Sequence, residues 1–286
     1  MDDAIEAGIN FVDTANQYGG SLGVGATETI VGKWLAADPS RREKLVLATK
    51  VYEPTSDDVN DRGLSARHIV QACEASLKRL NTDCIDLYQM HHFDRVAPLE
   101  ETWQAMDLLI QQGKIRYVGS SNFPGWMIAK TNENASFNRR LGLVSEQSKF
   151  SLLERRIELE VLPACRAFGV GVIAWSPLAG GVLAGAAQAG VSRRASKEIR
   201  QESLEHTTAL QGFATLCKTL DQLPSAIALS WVLHQPGISA VAVGPGTRKQ
   251  LESALSVPTI KLSEAVLNQL DVLFPPCGEA PEAYAW

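Results

Sequence analysis

The sequence predicts an α/β fold built on a parallel sheet with helical crossovers, and more specifically a (β/α)8 TIM barrel. Short apolar runs that read as buried strands alternate along the chain with stretches of helical periodicity. Seven such strand–helix units follow one another, which favours a barrel over an open sheet. A chain of 286 residues is long enough for one barrel, and we expect a single domain over 1–286.

One strand of the eight is absent from this pattern. Residues 1–8 read as the end of an amphipathic helix closed by Gly8, so the first strand of a barrel should precede Met1. Either the protein begins earlier than this numbering, or the barrel closes in another way. A barrel without this strand would have an unpaired edge and an exposed core, and both are unfavourable.

The predicted elements follow from the apolar runs, the helical periodicities, and the Gly, Pro and Ser residues that bound them. The predicted strands are 9–13, 45–49, 85–90, 115–118, 143–145, 170–174 and 240–243. The predicted helices are 27–37, 65–80, 98–112, 126–132, 158–168, 225–234, 248–255 and 263–273. A long loop and helix over 178–220 and a C-terminal tail over 275–286 complete the chain.

Charge and cysteine content argue against several functional classes. The net charge of -5 gives no basic footprint for nucleic acid or an anionic membrane. Five widely spaced cysteines without a CxxC pair argue against a disulfide framework or a zinc site and predict a cytoplasmic protein. The charge-free window 168–192 has the length of a membrane helix, but six glycines and Pro177 interrupt it. We therefore expect no nucleic acid, no membrane and no metal.

Polar and aromatic side chains stand where the predicted strands end. They are Asp13, Lys50, His91, Ser121 with Asn122, Gln147, and Trp175 with Ser176. In a parallel barrel the carboxyl ends of the strands converge on one pocket. The sequence therefore predicts one polar pocket at that end of the sheet.

The pocket chemistry suits proton delivery to a carbonyl oxygen. Tyr18 follows the first strand, and a free tyrosine keeps its proton at neutral pH because its pKa is about 10. A nearby Lys50 ammonium would stabilise the phenolate and lower that pKa, and Asp13 would hold the lysine charged and in place. His91 could donate to the same oxygen and orient the substrate.

A set of motifs along nearly the whole chain resembles the aldo-keto reductase family. The motifs are Asp13-Thr-Ala-x-x-Tyr18-Gly19, Thr49-Lys50, Asp86-Leu-Tyr-Gln-Met-His91, Gly119-Ser-Ser-Asn122, Glu146-Gln147, Trp175-Ser176-Pro177-Leu178, and Gly244 with Gln250-Leu251-Glu252. The resemblance implies a catalytic tetrad of Asp13, Tyr18, Lys50 and His91. We choose His91 over His92 because it directly follows the strand motif. The implied reaction is the NADPH-dependent reduction of a ketone or an aldehyde.

The resemblance also implies a set of cofactor contacts. The residues are Ser121, Asn122, Gln147, Trp175, Ser176, Pro177, Leu178, Gly180, Gly244, Gly246, Arg248 and Gln250. The first three would hydrogen-bond the nicotinamide carboxamide, and Trp175 would stack on its ring. The segment from Ser176 to Gly180 would contact the pyrophosphate, and the loop beyond it would fold over the cofactor. The last four residues would hold the adenosine end.

The adenosine end departs from the family pattern. Gly246, Ser253 and Ala254 stand where the family usually has a serine or arginine, an acid and an asparagine. Arg248 and Lys249 could still pair with a 2′-phosphate. That pairing favours NADPH over NADH, because NADH carries no charge at this position.

The sequence also resembles one branch of the family more than others. The segments around Gln147 and Trp175 are similar to those of potassium-channel β-subunits and of bacterial sugar or antibiotic-pathway reductases. The tail 283–286 resembles actinomycete deoxysugar 2,3-reductases and polyketide ketoreductases. The implied substrate is a small carbonyl compound, either a keto-sugar or a polyketide ketone. Family members range from monomers to rings, which leaves a homo-oligomer open.

Two other functions remain as alternatives. A non-catalytic partner subunit would use bound cofactor only as a sensor, and an intact tetrad argues against it. A barrel lyase or aldolase would use Lys50 as a Schiff-base nucleophile. A charged Lys50 paired with Asp13 is a poor nucleophile, so we expect no borohydride trapping at that residue.

Overall fold

The structure is a computed structural model that describes residues 1–185, 201 and 204–279. The chain divides into two compact units, Met1–Glu146 (unit 1) and Gln147–Trp286 (unit 2). The expectation of a single domain stays a prediction. Residues 186–200 and 202–203 of the predicted covering segment lie outside the described residues, as do residues 280–286 of the predicted tail.

Strands and helices alternate through the described residues. The strands are β1 Phe11–Asp13, β2 Val46–Val51, β3 Ile85–Met90, β4 Ile115–Ser121, β5 Leu143–Lys149, β6 Gly171–Trp175 and β7 Ile238–Val241. The α-helices are α1 Asp2–Glu6, α2 Ala26–Ala36, α3 Ser40–Glu43, α4 Ala66–Leu80, α5 Leu99–Gln111, α6 Gly125–Phe137, α7 Val161–Phe168, α8 Thr207–Thr219, α9 Pro224–His234, α10 Arg248–Ser256 and α11 Glu264–Leu273. Short 3-10 helices span Gly20–Leu22, Arg156–Glu158, Ala179–Ala184 and Val257–Thr259.

The strand order in the sheet follows the sequence from β1 to β7. The pairs β1–β2, β2–β3, β3–β4 and β6–β7 are parallel. At least one helix lies between each strand and the next, as parallel neighbours require. The predicted α/β class is confirmed: the described residues hold seven strands with helices between them, which is consistent with a (β/α)8 barrel that lacks one strand.

Unit 1 owes its core to strands that are apolar on both faces. Leu47 and Val51 on β2 and Ile85 and Met90 on β3 are buried, as expected for strands covered by helices. Burying an aliphatic side chain of this size contributes roughly 1.5–3 kcal/mol. Helix α4 begins at Ser65, whose Oγ accepts a hydrogen bond from the His68 N–H at 3.3 Å.

A buried ion pair joins α2, α4 and β2 within unit 1. The Glu28 carboxylate accepts from Arg79 Nε at 2.7 Å and from Thr49 Oγ1 at 2.5 Å. The two helices approach closely at Gly32, where an added Cβ would lie 2.0 Å from the Arg79 carbonyl oxygen. These contacts join β2 to the two helices on the face of the strand opposite to Lys50.

Unit 2 is centred on α9, whose side chains are buried on nearly all sides. Trp231 of this helix packs against Phe150 with ring centroids 5.3 Å apart. The buried Arg155 guanidinium lies 4.9 Å from the Trp231 ring and donates to Glu158 and Asp271 carboxylates at 2.8 and 2.7 Å. A buried cation is stable because these partners satisfy it.

Candidate active site

The four side chains predicted to form the catalytic tetrad come together in unit 1. Asp13 ends β1, Lys50 lies on β2, His91 follows β3, and Tyr18 lies in the loop after β1. β1 pairs with β2 and β2 pairs with β3 in parallel, so the carboxyl ends of these strands lie side by side. The sheet pairing therefore gathers residues that are far apart in the sequence.

Lys50 is the buried cation of this cluster, with 0% of its surface exposed. Its Nζ donates to Asp13 Oδ2 at 2.5 Å and to the Thr14 carbonyl oxygen at 2.9 Å. A buried ammonium is tolerated when it is paired and hydrogen-bonded, and these two acceptors meet that condition. The pair holds a positive charge at a defined place beside Tyr18.

The phenol of Tyr18 is the exposed member of the cluster, at 36%. Its OH lies 3.4 Å from His91 Nε2, and Lys50 Nζ lies 4.9 Å from its ring centroid. The N–H and the hydroxyl of Thr27 both donate to the Tyr18 carbonyl oxygen at 3.1 Å, which anchors the loop. A phenol with solvent on one side and a cation and an imidazole on the other can give a proton to a bound oxygen.

His91 is held neutral. Burial lowers the pKa of its imidazole to about 3, and the nearby Lys50 and His92 add to this effect. At neutral pH the ring therefore carries one proton, so one ring nitrogen donates and the other accepts. His91 can hydrogen-bond the phenol or a substrate oxygen, but it does not act as a cationic acid.

His92 faces a different partner. Its Nε2 lies 3.0 Å from Glu53 Oε1, and its ring stacks on His91 with centroids 5.2 Å apart. Tyr52 contacts the His92 ring edge to face at 5.5 Å. The structure thus places His91, and not His92, against the Tyr18 hydroxyl.

One residue of the cluster had no predicted role. The side chain of Gln89 on β3 is fully buried, and its Nε2 donates to Asp13 Oδ1 at 2.9 Å. The available signal in the sequence was its position two residues before His91, because alternate residues of a strand share one face. The pairing with Asp13 depends on the sheet register, which the sequence alone does not give.

Ser121 and Asn122, two predicted nicotinamide contacts, lie at the end of β4 in unit 1. Ser121 is buried, and Asn122 has a left-handed backbone with φ of 57°. The Asn122 amide donates to Ser121 Oγ at 3.0 Å and to the His91 carbonyl oxygen at 3.2 Å. These two candidates therefore lie beside the tetrad.

The next cofactor candidates belong to unit 2. Gln147 on β5 is buried, and Trp175 ends β6 partly buried. The segment 176–180 follows, with left-handed φ values of 54° at Ser176, 47° at Ala179 and 65° at Gly180. Backbone of this kind can form concave N–H nests, which bind anions such as a pyrophosphate.

The adenosine-end candidates lie after β7. The Gly246 N–H donates to Gln250 Oε1 at 2.8 Å, and the Gln250 N–H donates to Thr247 Oγ1 at 3.2 Å. These two bonds cap α10 in the manner of a capping box, so the side-chain oxygen of Gln250 serves the helix. The Arg248 side chain is 73% exposed, with Nε 3.6 Å from Glu252 Oε1.

Within each unit, taken by itself, the residues present suit one part of a nicotinamide dinucleotide. Hydroxyl and amide groups of Ser121 and Asn122 match a carboxamide, which needs both donors and acceptors. The nest at 176–180 and the N-terminus of α10 suit phosphate groups. The backbone at Gly244 is open, since an added Cβ would meet no atom within 4 Å.

Across 1–185, 201 and 204–279, His, Cys, Asp and Glu side chains form no group of three that could hold a metal ion. Within the same described ranges, every helix is too short or too polar to cross a membrane.

Comparisons with known proteins agree with this geometry. A sequence model of the Aldo/keto reductase family matches residues 1–274. The chain is 50% identical over 293 residues to an uncharacterized oxidoreductase, YrpG, of Bacillus subtilis, with 100% of this chain and 89% of that protein covered. It is 30% identical over 302 residues to a putative aryl-alcohol dehydrogenase of Schizosaccharomyces pombe, covering 95% and 89% of the two chains.

A third relative is named as a channel subunit rather than as an enzyme. The chain is 30% identical over 289 residues to a probable voltage-gated potassium channel subunit beta of Arabidopsis thaliana, covering 97% and 87% of the two chains. The family match extends over nearly the whole chain. The chain therefore belongs to the aldo/keto reductase family and is an oxidoreductase.

Proposed function

We propose that the protein reduces a ketone or an aldehyde to an alcohol with NADPH, and that Tyr18 supplies the proton. The observation that carries the proposal is the hydroxyl of the partly exposed Tyr18, which lies 3.4 Å from a neutral His91 and beside the ion pair of the buried Lys50 with Asp13. Bound NADPH would supply a hydride to the carbonyl carbon. The hydride and the phenol proton together balance the conversion of the carbonyl to an alcohol.

Each member of the tetrad has a separate task in this reaction. The substrate carbonyl oxygen is bound between the Tyr18 hydroxyl and His91 Nε2, and both polarise it by hydrogen bonding. Tyr18 passes its proton to that oxygen as negative charge develops there. The Lys50 ammonium, 4.9 Å from the Tyr18 ring centroid, stabilises the phenolate that remains. Asp13 keeps the ammonium in place through its 2.5 Å contact.

The proposed cofactor contacts follow the resemblance stated above. In unit 1, Ser121 and Asn122 bind the nicotinamide carboxamide. In unit 2, the resemblance assigns Gln147 to the carboxamide, Trp175 to the nicotinamide ring, and the left-handed segment 176–180 to the pyrophosphate.

The adenosine end is proposed to favour NADPH. The exposed Arg248 and Lys249 begin α10, where helix dipole and side-chain charge both favour an anion. A 2′-phosphate would pair with these positive charges, and NADH lacks that group. Gly244, Gly246 and Gln250 then act through backbone shape and helix capping rather than through direct charge.

The substrate is proposed to be a small carbonyl compound. A keto-sugar or a polyketide ketone of antibiotic biosynthesis or other secondary metabolism remains our proposal from the sequence. The name of the Schizosaccharomyces pombe relative, a putative aryl-alcohol dehydrogenase, adds aryl aldehydes as a class to test. The five widely spaced cysteines of the sequence support a cytoplasmic location, and a homo-oligomer remains open.

A second candidate function is a cofactor-sensing partner subunit. The 30% sequence identity to a probable potassium channel subunit beta favours this second candidate. The two candidates differ in turnover: a sensor would bind NADPH tightly and reduce no carbonyl compound.

Two measurements test the proposal. Quenching of tryptophan emission on titration with NADPH and then NADH measures cofactor affinity, and we expect tighter binding of NADPH. Consumption of NADPH is then followed with para-nitrobenzaldehyde, cyclohexanone and a keto-sugar nucleotide. Turnover of at least one carbonyl compound supports the reductase. Tight NADPH binding with no turnover of any of them would favour the sensor, and preference for NADH would overturn the assigned role of Arg248.

A further inference from the structure

Gln89 is a buried amide that lies among the strands of the tetrad. It is on β3 with 0% exposure. Its Cα pairs with that of Lys50 on one side and that of Gly119 on the other. Paired residues of parallel strands point to the same face, and so do alternate residues of one strand. The Gln89 side chain therefore shares a face of the sheet with Lys50 and His91.

Gln89 and Lys50 each donate a hydrogen bond to a different oxygen of the Asp13 carboxylate. Gln89 Nε2 donates to Oδ1 at 2.9 Å, while Lys50 Nζ donates to Oδ2 at 2.5 Å. A carboxylate held through one oxygen can turn about its terminal torsion, which is a soft rotation. With a donor on each oxygen, the turn breaks at least one bond. Gln89 therefore sets the rotation at which Asp13 meets Lys50.

Stability alone does not explain an amide at this position. The Gln89 Oε1 atom is buried and has no hydrogen-bond partner within the described part of the chain. Leaving a buried acceptor unsatisfied is unfavourable, and an apolar side chain of the same size would avoid that penalty. The favourable contact of Gln89 is with Asp13, so the amide is best explained by what it does for that carboxylate.

The neighbouring strand leaves room for this side chain. Gly119 pairs with Gln89, and an added Cβ there would lie 3.2 Å from Gln89 Cγ and 2.6 Å from Ser145 Oγ. Both distances are too short for an ordinary contact, so a larger residue would push Gln89 or Ser145 aside. The glycine of the Gly119-Ser-Ser-Asn122 motif thus leaves space for the Gln89 side chain to reach Asp13.

We propose that Gln89 is a positioning residue for the reduction: it orients the Asp13 carboxylate and thereby fixes the Lys50 ammonium beside Tyr18, a role that rests on the proposed carbonyl reduction. Gln89 does not touch the substrate in this account. Its loss leaves cofactor and substrate binding intact but weakens the charge that stabilises the Tyr18 phenolate.

The test compares Gln89→Met with a matched control, Thr49→Val. Methionine has nearly the same length and shape as glutamine but offers no N–H donor. Thr49→Val also removes a buried donor to a buried carboxylate, that of Glu28, on the face of β2 opposite to Lys50. Each protein is measured for NADPH consumption with para-nitrobenzaldehyde, for its melting temperature, and for tyrosinate absorbance against pH. Subtracting each protein's own Tyr18→Phe version isolates the Tyr18 signal.

Gln89→Met is expected to lower kcat about 10-fold with KM for NADPH changed less than about twofold, as misplacement of a catalytic group does. The Tyr18 absorbance change should lie at higher pH in this variant than in wild type, because the adjacent cation that favours the phenolate is misplaced. The melting temperature of Gln89→Met should fall less than that of Thr49→Val, because the substitution also removes the unsatisfied Oε1 acceptor. Thr49→Val should show the reverse: a lower melting temperature and an unmoved midpoint.

An unmoved midpoint in a folded Gln89→Met protein would overturn the inference, as would a loss of melting temperature with no change in kcat. If the wild-type protein consumes no NADPH with the aldehyde, the proposed reaction on aryl aldehydes fails, while the absorbance midpoint still decides the role of Gln89.

Gln89→Glu is the variant to measure if the methionine variant does not fold. Two adjacent carboxyls share a proton, so this variant should approach wild-type kcat at low pH and lose it as the pH rises. A constant ratio to wild type across the pH range would overturn the inference.

Discussion

The neutral state of His91 makes stability depend on pH in a way that can be calculated. Burial lowers the pKa of His91 from 6.5 to about 3 in the folded protein. Because the folded pKa is depressed, the unfolded chain takes up the proton first as the pH falls. The contribution of neutral His91 is therefore fully present above about pH 6.5 and is lost progressively toward about pH 3.

The size of this effect follows from linkage. One proton bound by the unfolded chain and not by the folded one changes the free energy of unfolding by about 1.4 kcal/mol per pH unit. Between about pH 7 and about pH 5, the two pKa values give a loss of about 2 kcal/mol. His68 is also buried, with its pKa lowered by burial, so it adds a loss in the same direction.

The assay is urea unfolding of wild type and His91→Gln at a series of pH values, with the free energy of unfolding extrapolated to water. The difference between the two proteins removes the contributions of His68 and of the carboxylates. We expect the wild type to lose about 2 kcal/mol more than the variant between about pH 7 and about pH 5. Parallel curves would mean that folded His91 takes up a proton as readily as the unfolded chain, which would refute the neutral imidazole.

Two further predictions concern charges outside the tetrad. Glu28→Gln should lower the free energy of unfolding by about 2–4 kcal/mol, because it breaks a buried ion pair whose Arg79 partner keeps some access to solvent; an unfolding midpoint equal to that of wild type would contradict this. Arg248→Ala should weaken NADPH binding about 10-fold and leave NADH binding unchanged, because the lost charge-assisted bond to a 2′-phosphate exists only for NADPH; equal weakening of both cofactors in the fluorescence titration would argue against the assigned contact.

The sequence predicted the first three strands of unit 1 to within two residues, because each is a short apolar run with a clear end. The runs before Asp13, Lys50 and His91 are local signals, and their polar ends indicated the tetrad before any pairing was known. The structure places these residues together because neighbouring strands are parallel.

Some strand limits were wrong because sheet pairing overrides local propensity. β4 runs on to Ser121 and β5 to Lys149, through glycine, serine and glutamine residues that read as loop. The last strand begins two residues earlier than predicted, at Ile238, and its pairing with β6 shifts register between Val172 and Ile173. The short helix α3 at Ser40–Glu43 carries too few apolar residues to show a helical period.

The sequence could not predict the contacts of the site that depend on the register of neighbouring strands. Gln89 lies in the motif Asp86-Leu-Tyr-Gln-Met-His91, but the sequence predicted no role for it. Nothing in the sequence tells which side chain contacts Asp13. Gln250 was assigned to the cofactor by its motif, yet its side-chain oxygen accepts the Gly246 N–H at the start of α10. Both facts come from contacts between segments and not from the residues themselves.

The most direct test of the account is the role of Tyr18 as proton donor. The measurement is a single-turnover reduction of a carbonyl substrate by wild type and Tyr18→Phe, each preloaded with NADPH, with NADPH affinity measured in parallel. The account predicts a rate lowered by about 10²–10⁴-fold, the usual share of a general acid, with affinity changed less than about twofold. A Tyr18→Phe protein that reduces the substrate at nearly the wild-type rate would contradict the central claim.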